Sequence, residues 1–161
     1  ETAEARKLTV EENIRFYDGL CGLEKAGTER VKAEIYAAFG LGTVAGKQAA
    51  RLSGGWQRKL SIALALIKDP RVLFLDEPTL GLDVIARREL WNTIRGLKGR
   101  MTIVLTTHYM EEAEALSDRI GIMKDGRLLF AGTKEELYAA SGKDNVEDAF
   151  VEIVKGGEKD A

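Results

Sequence analysis

The chain has 161 residues, 45% apolar and 31% charged, with a formal net charge of −2. That is an ordinary soluble balance, long enough for a real core, and with no obviously basic face it argues against a general nucleic-acid binder. The single cysteine, Cys21, excludes a disulfide framework or a cysteine-held metal cluster and fits a reducing cytoplasm.

The first half reads as helices. "LTVEENIRFYDGLCGL" opens with Thr9 as N-cap and Glu12 completing a capping box, and Val10, Ile14, Tyr17 and Cys21 fall on one face. In "GTERVKAEIYAAFGLG", Thr28 is the expected cap, Val31, Ile35 and Phe39 form the stripe, and Gly40 stops the helix. A third helix starts after Ser53. It turns Trp56, Leu60, Ala63, Leu64 and Ile67 inward until Asp69-Pro70 ends it.

The second half alternates. "RVLFLD" and "TIVLTT" are short apolar runs of the kind found in parallel strands covered on both faces. "VIARRELWNTIRGLKG" between them is the expected crossover helix. "RIGIMKDGRLLFAGT" predicts a hairpin turning at Asp125-Gly126. Thr133 with Glu136, and Asn145 with Asp148, mark two closing helices, and the polar tail after Lys155 is expected to be loose. No apolar run approaches the roughly 20 residues of a membrane helix, and no charged, apolar leader opens the chain. Membrane association is therefore expected only through a partner.

Three short stretches carry chemistry. In "LFLDEP", Asp76 falls at the carboxyl end of a buried strand, where open parallel sheets place their ligands. It can hold magnesium through water, and Glu77 beside it can orient and deprotonate an attacking water. The alternative is that Asp-Glu-Pro only makes a turn and caps the next helix. In "LSGGWQ", Ser53 and two glycines at a helix start expose N–H groups that suit a phosphate. The alternative there is an ordinary serine cap. His108, the only histidine, ends "IVLTTH", past the second strand, and taken alone reads more readily as a capping or structural residue than as a site residue.

In order and interval, "LSGG", "LFLDEP", "GLD" and "TTH" resemble the signature motif, Walker B strand, D-loop and H-loop of the ATP-binding cassette of ABC transporters. The stretches "DEPTLGLDVIARRELW" and "TTHYMEEAEALSDRIGIMKDGRLLFAGTKEEL" are similar to the ATPase subunits of ABC-2-type exporters, so the resemblance covers nearly the whole chain. It departs at Trp56, where glutamine is commonest; Gln57 follows one position later.

The resemblance implies an α/β fold of the P-loop NTPase type. Residues 1–70 would be the helical signature subdomain and 71–161 the carboxyl-terminal part of the RecA-like core. The cofactors implied are ATP and Mg2+, with Asp76 on the metal, Glu77 activating water and His108 at the γ-phosphate. Ser53, Gly54, Gly55 and Gln57 would face nucleotide held by a second, head-to-tail nucleotide-binding domain, and Asp83 would link the two sites. The other partner is a transmembrane permease subunit, placing the protein in the cytoplasm, peripheral on the inner face of the cell membrane.

A Walker A motif needs G-x-x-x-x-G-K-[ST], for close backbone approach, phosphate charge and a magnesium hydroxyl. The only near match is "GLGTVAGKQ", where Leu41 replaces the first glycine and Gln48 the hydroxyl residue, so it reads as a loop between helices. The expectation is an incomplete cassette, inactive alone. The competing reading is a non-catalytic half-cassette serving as an interaction module. A DNA-repair or chromosome-organising ATPase of the same superfamily would need long heptad arms, which these residues lack.

Overall fold

The structure, a computed structural model, describes residues 5–21 and 25–157. These form two compact units, divided between Thr106 and Thr107. In the first, α1 (Val10–Cys21), α2 (Lys25–Phe39) and α3 (Gly54–Leu66) precede strand β1 (Val72–Asp76), helix α4 (Val84–Leu97) and strand β2 (Thr102–Thr106). Helix α3 sits centrally, packed against α1, α2 and α4.

The local signals explain most of these elements. Thr9 and Glu12 form the capping box: the Thr9 amide donates to Glu12 Oε2 at 2.8 Å, and the Glu12 amide donates to Thr9 Oγ1 at 3.2 Å. The Thr9 amide, first, and its hydroxyl hold the Glu12 carboxyl below its ordinary pKa, because both bonds favour the anion. Of the expected stripes, Val10, Ile14, Ile35, Phe39, Leu60, Ala63, Leu64 and Ile67 are buried, Tyr17, Val31 and Trp56 are half-buried, and the Cys21 side chain lies outside what the structure describes. On α4, Leu90, Ile94 and Leu97 join them at helical spacing. Gly40, at φ 65°, ends α2 in the left-handed region that favours glycine. "GLGTVAGKQ" is indeed a loop between helices, with one 3₁₀ turn over Leu41–Val44 and a second at Ala49–Arg51 just beyond it.

Two expectations are corrected here. Thr28 is not a cap, because α2 already runs from Lys25 and a capping residue must have a non-helical backbone. The strands are also not covered on both faces. β1 and β2 pair in parallel, in register from Val72↔Thr102 to Asp76↔Thr106, and no third strand joins them among the described residues. Leu73 and Leu75 are buried, but Val72, Phe74 and Val104 on the other face are 46%, 75% and 41% exposed. The apolar run reports what each strand could bury, not what lies over it.

The second unit contains α5 (Met110–Leu116), β3 (Ile120–Lys124), β4 (Arg127–Gly132), α6 (Lys134–Ser141) and α7 (Val146–Gly157). Its core joins Ile120, Ile122, Leu137, Val146 and Ala149. The hairpin turns at Asp125-Gly126, both with positive φ as a two-residue type I′ turn requires. Thr133 and Glu136 form a second capping box, and Asn145 Oδ1 accepts from the Asp148 amide at 2.8 Å. Helix α5 had no counterpart in the sequence reading, and α7 runs two residues past Lys155, where a loose tail was expected. The rest of that tail lies outside the described residues.

Candidate functional site

Ser53 stands at the N-cap of α3 with extended backbone, yet its side chain makes no capping hydrogen bond. The exposed hydroxyl is thus not engaged in the task that an ordinary serine cap performs. The approach to it is held from inside. Gln57 Nε2 donates to the carbonyls of Ala49 and Leu52, each at 3.2 Å, and the Ala49 amide donates to the Leu8 carbonyl at 2.9 Å. Gln57 therefore directs its amide donors to the loop just before Ser53.

The two glycines have different neighbours. A Cβ on Gly54 would meet Leu82 Cδ2 at 3.4 Å, an ordinary contact, whereas one on Gly55 would meet Ala86 Cβ at 3.0 Å. Gly55 is therefore required by the close approach of α3 to the first turn of α4. Between these helices lies an open cleft of about 270 Å³, lined by Ser53, Gly55, Trp56 and Lys59 on one side and Asp83, Ile85, Ala86 and Glu89 on the other.

Asp76 is the last residue of β1, and its Oδ1 accepts a hydrogen bond from the Thr106 hydroxyl at the end of β2. Parallel pairing in register brings this carboxylate and hydroxyl to one end of the strand pair. Glu77 follows with φ 43°, while its amide donates to the Thr106 carbonyl at 3.0 Å. A non-glycine residue held there stores on the order of 1–3 kcal/mol, and such strain concentrates at functional sites. The chain then folds tightly back, with the Leu80 amide on the Glu77 carbonyl and the Leu82 amide on the Thr79 carbonyl, both at 3.1 Å. Inside this turn the Thr79 side chain is 1% exposed, and its hydroxyl has no hydrogen-bond partner.

Asp83 closes the turn as the N-cap of α4, its Oδ1 accepting from the amides of Ile85 and Ala86 at 2.9 Å each. The sequence-predicted residues Ser53, Gly54, Gly55, Gln57, Asp76, Glu77 and Asp83 thus all lie in the first unit. Ser53, Gly55 and Asp83 share the cleft, while Asp76 and Glu77 sit at the strand ends. His108 belongs to the second unit, two residues past β2, exposed and in ring contact with Tyr109 at 4.2 Å between centroids.

Comparison with known proteins matches these features. Residues 1–80 match the family model described as ABC transporter. The chain is 38% identical over 160 residues to the probable multidrug ABC transporter ATP-binding protein YbhF of Escherichia coli, covering 95% of this chain and 27% of that protein. It is 44% identical over 137 residues to ABC transporter A family member 5 of Arabidopsis thaliana, covering 84% of this chain and 15% of that one. Among solved structures, an ATP-binding subunit of an ABC transporter superposes with TM-score 0.79 at 28% identity, over 95% of this chain and 65% of that one.

The chain belongs to the ABC transporter ATP-binding family.

A second solved relative, cbiO1 from Clostridium perfringens, part of the ABC transporter complex cbiONQ, superposes with TM-score 0.74 at 26% identity, over 83% of this chain and 54% of that one. The fold is accordingly that of an ABC cassette, mixed helix and sheet. This chain spans about a quarter or less of its curated relatives' length, and no described helix is long and apolar enough to cross a membrane.

The family implies ATP binding, and the residues present are compatible with one side of such a site. No described group of three or more His, Cys, Asp or Glu side chains could hold a metal ion by itself. One exposed carboxylate, Asp76, fits magnesium, which keeps most of its waters and takes the remaining ligands from phosphates. The α3 N-terminus fits a phosphate brought to it. Sequence reasoning missed Thr79, the capping duty of Asp83, and Lys59 with Glu89. Only the Asp83 cap had a local signal, an aspartate directly before a helical pattern.

Proposed function

We propose that this chain is the carboxyl-terminal part of an ATP-hydrolysing cassette that energises export across a membrane. The observation that carries it is the end of the parallel strand pair, where Asp76 is tied to Thr106 and Glu77 is held in a strained backbone. In this reading Glu77 accepts a proton from water as the water oxygen bonds to the γ-phosphorus. The bond to the β-bridging oxygen breaks, leaving ADP and phosphate. Asp76 holds Mg2+, which supplies charge neutralisation on the phosphates when bound.

Ser53, Gly54 and Gly55 close over nucleotide gripped by a second cassette, and the Ser53 hydroxyl, which makes no capping bond, supports that role. Gln57 supports the signature from behind, and Asp83 links the two sites while capping α4. His108 is assigned the γ-phosphate contact on the family resemblance. Residues 1–70 act as the helical subdomain and 71–161 as part of the core. The export direction rests on the resemblance of residues 76–91 and 106–137 to ABC-2-type exporter subunits, and a permease partner on the family and the cbiONQ complex. Such an assembly works at the cytoplasmic face of a membrane.

The test is Glu77→Gln in the full-length cassette. The amide keeps the shape but cannot take the proton, so ATP binding persists while turnover falls about 10²–10⁴-fold. Turnover within about threefold of the parent would remove Glu77 as the base, since a general base contributes far more than that.

A further inference from the structure

We propose that Lys59, braced on Trp56 of its own helix, is a positioning residue for the signature that ties α3 to α4 through Glu89. Ser53 and Asp83 are thereby presented to the facing cassette as one rigid unit. The inference rests on the facing-signature reading above.

Lys59 lies three residues after Trp56, on the same face of α3. Its ammonium stands 4.8 Å from the indole ring centroid and 2.9 Å from Glu89 Oε2 on α4. The Lys59 side chain is only 11% exposed, so both attractions are partly shielded from water and salt. One turn nearer the helix starts, Gly55 abuts Ala86, so closely that a Cβ added at Gly55 would lie 3.0 Å from Ala86 Cβ.

Gly55 with Ala86 and Lys59 with Glu89 are two contacts between the helices, about one turn apart. The first sets how closely α3 approaches α4, and the second adds a charge contact that resists rotation of one helix on the other. The residues that must face a partner, Ser53 and Asp83, line the cleft above this clamp. The arrangement also explains the departure at Trp56. An indole at this position gives Lys59 a flat, electron-rich surface, which the usual glutamine cannot.

The experiment uses the full-length cassette with Lys59→Met, Glu89→Gln and Lys59→Arg, and Ser53→Arg as reference. ATP affinity of the monomer, ATP-driven dimerisation with a non-hydrolysable analogue, and kcat against KM are measured, with a melting curve for each variant. Lys59→Met and Glu89→Gln should leave monomer affinity unchanged and weaken dimerisation about two- to fivefold, as loss of a charge contact exposed on its Glu89 side would. kcat should fall with KM for ATP little altered, and Lys59→Arg should restore most of both. Should Lys59→Met fail to fold, Glu89→Gln, on an exposed side chain, carries the test.

Normal dimerisation of the two charge-removing variants beside a Ser53→Arg that cannot dimerise would overturn the clamp and spare the facing signature. Failure of Lys59→Arg to rescue would also overturn it. A Ser53→Arg cassette that dimerises normally would sink both readings together.

Discussion

Gly55 offers the sharpest test of how α3 and α4 meet. Replacing it with alanine places a methyl 3.0 Å from Ala86 Cβ, a side chain fixed directly to the α4 backbone, so one helix must move. Such overpacking costs about 1–3 kcal/mol. The gain in helix propensity is at most about 1 kcal/mol, and smaller in the first turn. The clash wins, and Gly55→Ala should destabilise the chain by about 1 kcal/mol, the difference between these terms. Gly54→Ala is the control, because its methyl would meet only the movable Leu82 side chain at 3.4 Å; it should be neutral or slightly stabilising. Ala86→Gly alone should cost less than about 1 kcal/mol, because Ala86 is half-buried in the first turn of α4. Combined with Gly55→Ala it reopens the space, giving a favourable coupling of about 1 kcal/mol in a double-mutant cycle. Urea unfolding followed by far-UV circular dichroism reads all four proteins. If Gly55→Ala matches Gly54→Ala and the coupling falls below about 0.5 kcal/mol, the close approach is wrong.

Further outcomes are expected of the 161-residue chain itself. Titration calorimetry with Mg-ATP should give no saturable heat at micromolar concentration, because these residues contain no G-x-x-x-x-G-K-[ST]; a clear micromolar site would refute the incomplete-cassette reading. The open face bearing Val72, Phe74 and Val104 should drive self-association visible in light scattering, and Phe74→Lys should reduce it. A clean wild-type monomer would refute that. Lys32 donates to Asp18 at 2.7 Å, and this bond, against the opposing effect of burial, raises its pKa. Its contribution is full below the ordinary lysine pKa and fades as pH rises through the higher folded value. The urea midpoints of wild type and Lys32→Met should therefore converge in strong alkali, and a gap independent of pH would show that the ion pair contributes nothing.

Much of the fold was legible because its signals act within a few residues. Both capping boxes, Thr9 with Glu12 and Thr133 with Glu136, are bonds between neighbours, as is the Asp125-Gly126 turn. The apolar stripes of α1, α2 and α3 read correctly because helical spacing itself decides which side chains share a face. Thr28 misled for the same local reason: threonine before acidic and apolar residues resembles a cap even when the helix has already started.

The order of "LSGG", "LFLDEP", "GLD" and "TTH" likewise needed no coordinates. Tertiary structure alone decided that the Ser53 hydroxyl makes no capping bond, that Gln57 binds the preceding loop, and that the open side of the strand pair carries Val72, Phe74 and Val104 while Leu73 and Leu75 are buried. It alone decided that Lys59 meets Glu89 thirty residues away, and that Gly55 has no room beside Ala86. Helix spacing places a residue on a face of its own element, but the neighbour across that face is chosen by packing between distant segments. Neither composition nor periodicity records that choice.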